Sequence, residues 1–481
     1  MKKHFLLTAL FLLTFSANAQ KNYDEAIQLI EVWLDAQKDY EKLPAIIASV
    51  TEDQNKIWSG AFGFANPDDK IKADVLTLCS ICSISKLFTS VAVMKLYDEG
   101  KLRLDDRIED LLPWYDLEQQ FEDSTPITIR SILTHSSGLP RESNFSYWTG
   151  PDFAFPETEE IREELSEQET LYPSSTYFQY SNLGLTLLGE VVEEVSGIAY
   201  EEYVRQNILD PLGLDNTYTY LPEDKYGDEL AVGYGPLKRD GSRDKLQLFD
   251  AGGVQAAAGF SSNVEDLGKF GAWQLRLRDT SAVEILKPST LKMMQRVHWT
   301  DPDWKTTWGL GFAVSKGPDG TTWVSHGGSC PGYRSVLLIN PESKRTYAVL
   351  INANGTNPGK YATGIHAILN KIKTETGENE IENKEQTATE VNLDDFVGYY
   401  DSSPWTSEVY IGSWGNKLVM MRLPTSSPAE AMSFYEHIEG DTFRRIREDK
   451  ELGETLKFER GESGEISRYK SHGNYSNKLK P

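Results

Sequence analysis

Ser83 and Lys86 stand three residues apart in ICSISKLFTS (81–90), where an apolar run of helical period begins. A serine hydroxyl is a poor nucleophile until a neighbouring base takes its proton, and an amine one helical turn away can be that base. The tetrad by itself is common: it recurs at Ser242/Lys245, Ser289/Lys292 and Ser467/Lys470. Setting separates them. Ser83 opens a long apolar helix, whose N-terminus favours negative charge and can aim a backbone N–H at a developing oxyanion. Ser242 and Ser467 fall in polar turn-like or strand-like stretches, and Ser289 follows Pro288 but lacks companions. The competing structural reading makes Ser83 a helix cap and Lys86 a solvated amine.

Two further segments supply the companions. In FQYSNLGLTLLG, Tyr180 and Asn182 precede a second helix; the phenol can relay a proton and the amide can hold Lys86 or a substrate carbonyl. The same YSN string at 475–477 lies in a polar tail with no helix after it. In WVSHGGSCPGY a strand ends at His326, Gly327 and Gly328, where missing side chains let a substrate lie along the edge backbone. The Ser329 N–H is then placed to complete an oxyanion hole with that of Ser83. His135, in THSSGLP, reads as a residue that holds a loop.

These three motifs, in this order, resemble the serine β-lactamase-like and penicillin-binding-protein-like hydrolases, nearest the class C, esterase and D-aminopeptidase branch. GKLRLDDRIEDLLPW, ITIRSILTHSSGLP, AAAGFSSNVEDLGKF and WGLGF are similar to that family's connecting segments, so the resemblance covers roughly 25–370. It implies Ser83 as the acylated nucleophile, Lys86 and Tyr180 sharing base and relay roles, and Asn182 positioning. It implies no cofactor and no metal. One departure matters: His326 stands where many relatives carry a carboxylate-binding lysine. An ordinary imidazole is only partly cationic at neutral pH. The reading therefore favours esters, D-amino-acid amides or peptides as substrates, with weak or no β-lactam turnover. The alternative is a catalytically idle relative that binds cell-wall fragments or peptides.

The elements that must position these residues follow from periodicity. DEAIQLIEVWLDAQ reads as an amphipathic helix, and PAIIASVTED and KIWSGAFGFAN as a hairpin. Helices are expected from Ser83 to Glu99 and in STPITIRSILTH and LGLTLLGEVVEEVSG, with a surface insertion at 151–169. TTWVSH, YRSVLLIN and RTYAVLINA read as strands, the last two joined at 341–344, and YATGIHAILNKIK as a closing helix. Strands at both ends with helices between predict an α+β fold, an antiparallel sheet flanked by helices with an inserted helical lobe. The expected domains are a hydrolase domain at 20–373, a polar linker at 374–391 and a small all-β, lipocalin-like module at 392–481.

Bulk properties bound the partners. The chain has 481 residues, with 49 Lys and Arg against 73 Asp and Glu, a net charge of −24. That balance argues against a nucleic-acid partner; a small-molecule or peptide substrate is what the resemblance implies. Residues 1–19 read as a signal peptide: Lys2 and Lys3, an apolar stretch, then Ala17-Asn18-Ala19 with cleavage expected after Ala19. A periplasmic or secreted protein without stable membrane insertion is expected. Cys79, Cys82 and Cys330 are too few for a disulfide framework and lack ligand spacing for a metal, so they read as small buried side chains, at least one of them unpaired.

Overall fold

The computed structural model describes residues 23–317, 320–379, 391–401 and 407–480. The expected signal peptide lies outside the described residues, as does the linker from 380 to 390. Two compact units emerge, one spanning Lys42–Ala362 and the other combining the N-terminal segment through Glu41 with Thr363 onwards.

The first unit is built on a nine-stranded sheet: β1 (Ala45–Glu52), β2 (Asn55–Asn66), β3 (Ile71–Lys72), β6 (Trp299–Thr300), β7 (Thr307–Trp308), β8 (Ala313–Lys316), β9 (Thr322–Cys330), β10 (Tyr333–Asn340) and β11 (Arg345–Ile351). A separate two-stranded pairing joins β4 (Cys79–Ser80) to β5 (Ser261–Ser262). The large sheet runs β3-β2-β1-β11-β10-β9-β8-β7-β6, so the N-terminal hairpin pairs with the C-terminal strands through β1 and β11. This is the antiparallel sheet assembled from both ends of the chain. Strands β6 to β8 were not legible: they are two to four residues long, too short to show a period.

Three principal helices fill the intervening chain. The helix after Ser83 spans Ser85–Asp98 and is buried nearly all round, so it has almost no polar face. Its hydroxyls are satisfied internally: Ser90 donates to the Lys86 carbonyl at 2.7 Å and Thr89 to the Ala256 carbonyl at 2.6 Å. Phe88 stacks between Phe260 and Phe270, with centroids at 5.2 and 4.3 Å. Asn182–Ser196 begins at Ser181, whose hydroxyl accepts from the Gly184 N–H, and ends at Gly197 in the left-handed region (φ 71°). Val264–Asp279 is capped by Asn263.

Two expectations need correction. The helix in STPITIRSILTH is only Ile129–Leu133, opened by a Thr128–Ser131 capping box. The stretch 151–169 is no mere surface insertion, since it forms a helix at Thr158–Glu163 and buries Phe153, Ile161 and Leu165 in the core.

The second unit holds an eight-stranded, nearly closed antiparallel barrel, strands β12 (Gly398–Tyr400) to β19 (Asn474–Asn477) in sequential order. Its ends meet through Asp401 N–H to the Asn477 carbonyl (2.8 Å) and Leu479 N–H to the Tyr399 carbonyl (2.7 Å), which leaves little open edge. Phe396 packs on Phe443 and Phe458 at 4.9 and 4.7 Å. The first helix, 23–40, is grouped with this module: Trp33 donates its indole N–H to the Thr425 carbonyl, and Gln37 accepts from the Thr425 N–H. The closing helix runs Pro358–Asn379, past the boundary placed at 373. The added residues include the poor helix formers Thr374, Thr376, Gly377 and Asn379, so the extension follows from propagation of a helix already nucleated rather than from their propensity.

Candidate active site

Ser83 lies in a 3₁₀ turn, Cys82–Ile84, that leads into the Ser85–Asp98 helix. No side chain caps that helix, so Ser83 is not a capping serine. Its hydroxyl instead meets the Lys86 amine at 3.2 Å. Lys86 is 1 % exposed, and its Nζ also reaches Asn182 Oδ1 and the Ala257 carbonyl, both at 2.7 Å. Burial pulls its pKa down to about 7; the Glu142 carboxylate opposes that fall and Arg141 adds to it. The neutral amine has two N–H bonds and one lone pair. With two carbonyl oxygens taking the two hydrogens, the lone pair is left for the Ser83 hydroxyl proton.

Tyr180 faces the same point. Its hydroxyl shares a hydrogen bond with Ser83, and its ring lies 5.0 Å from both Lys86 Nζ and the Arg141 guanidinium carbon. Burial pushes the phenol well above its ordinary range, against the pull of the Ser83 bond and Arg141, so it stays protonated. His135 sets the height of this ring: it packs at 4.2 Å from it, and its Nδ1 accepts from the Ser181 N–H at 3.1 Å. The imidazole thus holds the loop, as expected, and burial keeps it neutral.

Strand β9 forms the opposite wall. Ser325 is the last of its residues to pair with β8 before the cleft; from His326 to Cys330 that side is an open edge. Gly328 is required by contact: a Cβ there would sit 2.1 Å from Ser335 Oγ and 2.2 Å from the Ile81 carbonyl oxygen. Gly327 is exposed and meets no such crowding. Two lobes of about 420 and 440 Å³ share Ser83, Arg141 and Ser329 as their common lining. Glu142, Trp148 and Phe153 line the first; Tyr180, Trp308, His326 and Arg334 line the second.

His326 departs from the expectation of partial charge. It is 4 % exposed, and burial together with the nearby Lys86 pulls it down to about 3, so it is neutral at physiological pH. Its Nδ1 bonds the Gly327 carbonyl at 2.8 Å, which leaves Nε2 buried without a partner.

Cys82 and Cys330 form a disulfide, while Cys79 is free and buried. All three are buried and one is unpaired, as expected; the pairing of Cys82 with Cys330 was not foreseen. The bond ties the turn that carries Ser83 to the end of β9, across 248 residues of sequence that no spacing rule connects.

The β-lactamase family model matches residues 33–369. The chain belongs to the β-lactamase family. Beta-lactamase-like protein 2 of Dictyostelium discoideum is 30% identical over 328 residues, which is 67% of this chain and 58% of that protein. Penicillin-binding protein 4* of Bacillus subtilis (strain 168) is 24% identical over 314 residues, 62% of this chain and 65% of its own. The chain thus spans less than two thirds of the length of these curated relatives. Among solved structures, the octameric penicillin-binding protein homologue from Pyrococcus abyssi superposes with a TM-score of 0.64 at 25% identity, covering 94% of this chain and 100% of the other. A D-stereospecific amidohydrolase from Streptomyces sp. shares the fold (TM-score 0.56, 22% identity, 70% and 97% covered).

Within this β-lactamase-family cleft, Ser83, Lys86, Tyr180, Asn182, His326, Gly327, Gly328 and Ser329 all meet. The reading missed Arg141, Glu142, Trp308 and Arg334. Arg141 and Glu142 directly follow the quoted THSSGLP, and Arg334 is the one charge in the apolar strand YRSVLLIN. Its Nε is buried with no partner. Among the described residues no group of three or more His, Cys, Asp or Glu side chains is gathered as for a metal ion, and no helix is long and apolar enough to cross a membrane.

Proposed function

We propose that this protein is an exported serine hydrolase that cleaves a small ester, D-amino-acid amide or peptide through an acyl-serine intermediate. One observation carries the reading: the buried Lys86 amine, with a pKa near 7, bonds two carbonyl oxygens and the Ser83 hydroxyl at once. Ser83 Oγ attacks the substrate carbonyl carbon and its proton passes to Lys86 Nζ. The oxyanion is held by the N–H groups of Ser83 and Ser329. Tyr180, a neutral phenol bonded to Ser83, carries a proton to the leaving group as the C–O or C–N bond breaks. Water then attacks the acyl-serine and the same groups run in reverse.

Between Lys86 and Tyr180, the first base is Lys86, because its amine is half-deprotonated near neutral pH and the phenol is not. Neutral His326 supplies no charge at the position where a lysine would hold a β-lactam's carboxylate, which favours slow β-lactam turnover; Arg334, in the same lobe, is the cation left for a substrate carboxylate placed differently. A merely binding relative gains nothing from a lysine buried at the cost of its charge. Export rests on the N-terminal pattern alone; N-terminal sequencing of the protein recovered from a periplasmic or culture fraction should begin at Gln20.

The test uses a fluorophosphonate probe and a fluorogenic short-chain ester on wild type and Ser83→Ala. Labelling at Ser83 and turnover that vanish in the variant are expected. Rapid, saturable β-lactam hydrolysis would overturn the assignment away from β-lactams.

A further inference from the structure

The Lys86–Asn182 contact depends on which end of the Asn182 amide faces the amine. An amide presents an acceptor at one end and donors at the other, at nearly the same size. Reversed, Asn182 would place two N–H bonds against Lys86 and remove one of its carbonyl partners. Nothing in the Lys86 pocket prevents this by shape. What prevents it lies on the far side: Asn182 Nδ2 donates to both carboxylate oxygens of Glu142, each at 2.8 Å. A carboxylate only accepts, so it admits only the Nδ2 end.

Glu142 is itself fixed. It accepts from the Tyr147 hydroxyl and pairs with Arg141 Nε at 3.1 Å. Tyr147 is buried, 1 % exposed, among Trp148 and Phe155. The chain of contacts therefore runs Tyr147, Glu142, Asn182, Lys86, Ser83, from a rigid aromatic cluster to the nucleophile.

We infer that Glu142 is the positioning residue of this site: it locks the amide polarity of Asn182 so that the Lys86 lone pair faces Ser83, and its charge sets the pH at which that lone pair becomes available. The inference rests on the acyl-serine reading above. The charged and titratable groups facing Lys86 are Arg141 and Glu142 just after THSSGLP, His135 within it, Tyr180 and His326. Both histidines are held neutral by burial and Tyr180 stays protonated, which leaves Glu142 and Arg141 as the charges that act. Glu142 favours the protonated amine. Removing its charge makes Lys86 easier to deprotonate, so the acid limb of activity must move to lower pH.

The experiment measures the rate at which a fluorophosphonate labels Ser83 between pH 5 and 9, in the full chain, with no knowledge of the natural substrate needed. Glu142→Gln keeps an acceptor for Asn182 but not the charge; its half-maximal pH should fall by about one unit with a modest loss in limiting rate. Glu142→Asp keeps the charge and should restore the wild-type midpoint. Tyr147→Phe loosens the carboxylate without touching its charge, and should slow labelling at an unmoved midpoint. Glu142→Ala and Asn182→Ala should each slow labelling about 10- to 100-fold, and the double variant should be no worse than either alone. An unmoved midpoint in Glu142→Gln, or fully additive losses in the double variant, overturns the inference while leaving the hydrolase reading intact. A wild type that the probe does not label at Ser83 sinks both.

Discussion

The cleft around Ser83 and the interior of the barrel bury opposite kinds of side chain. Around Ser83 the first unit hides Lys86, Asn182, His135 and His326, each at most 4 % exposed. The core of the barrel is Phe396, Tyr400, Phe443, Leu456 and Phe458, and its charged pairs, such as Arg460 with Asp441 and Asp395, stay at the surface. Burying a polar or ionisable group costs free energy unless partners replace water, whereas aromatic burial is favourable outright. The barrel has the interior that stability alone would select. The cleft accepts a cost that stability does not explain, and perturbed ionisable groups of this kind cluster where chemistry is done.

The sharpest way to break this contrast is Lys86→Met. Ester turnover should fall by about 10³-fold or more, as for loss of a catalytic base that acts as a unit with its nucleophile. Stability should move the other way. In wild type the folded pKa of about 7 lies below that of the unfolded chain, near 10.5, so the unfolded state binds more protons between those values. Unfolding free energy therefore rises with pH across that window and its lysine penalty is complete below it. Thermal melts at pH 6 to 10 should show a stabilised variant that has lost this slope. A variant less stable than wild type at pH 7 would remove the argument that the cleft is costly.

In the barrel, Phe443→Ala should cost about 3–5 kcal/mol of that unit's stability by opening a cavity. Labelling of Ser83 at 25 °C should stay within twofold, because nothing in the chemistry uses this side chain. Reducing the Cys82–Cys330 bond, or replacing both cysteines by serine, should cost about 2–5 kcal/mol by denaturant melts and slow acylation as well, since the bond anchors the nucleophile's turn to β9. Loss of stability with unchanged acylation would show that backbone pairing alone aligns the site. The smallest effect is expected from Arg334→Ala. Its unpartnered Nε in the cleft predicts about a tenfold loss toward a carboxylate-bearing ester and little change toward a neutral one, read from kcat/KM.

Much of the machinery was legible because it is local or ordered. Ser83 and Lys86 are neighbours on one helical turn, Tyr180 and Asn182 flank one helix start, and His326 to Ser329 follow one strand. The sheet was legible because long apolar strands show their period at both ends of the chain. Short strands β6 to β8 show none, and the extent of the closing helix was hidden because Thr374, Thr376, Gly377 and Asn379 are poor helix formers that read as linker.

By itself, the sequence determined the fold class, the family, and which residues gather around Ser83 as candidate partners, because those reside in periodicity and in motifs a few residues long. Only the tertiary structure decided that Cys82 meets Cys330, that Glu142 stands behind Asn182, that Arg334 lines the cleft with its Nε unpartnered, and that His326 is neutral. Each of these is a matter of distance between segments far apart in the chain, or of how completely water is excluded. Neither quantity is written in residue type or spacing. Burial turns an ordinary lysine and histidine into groups that titrate near 7 and 3, and burial exists only once the chain has closed around them.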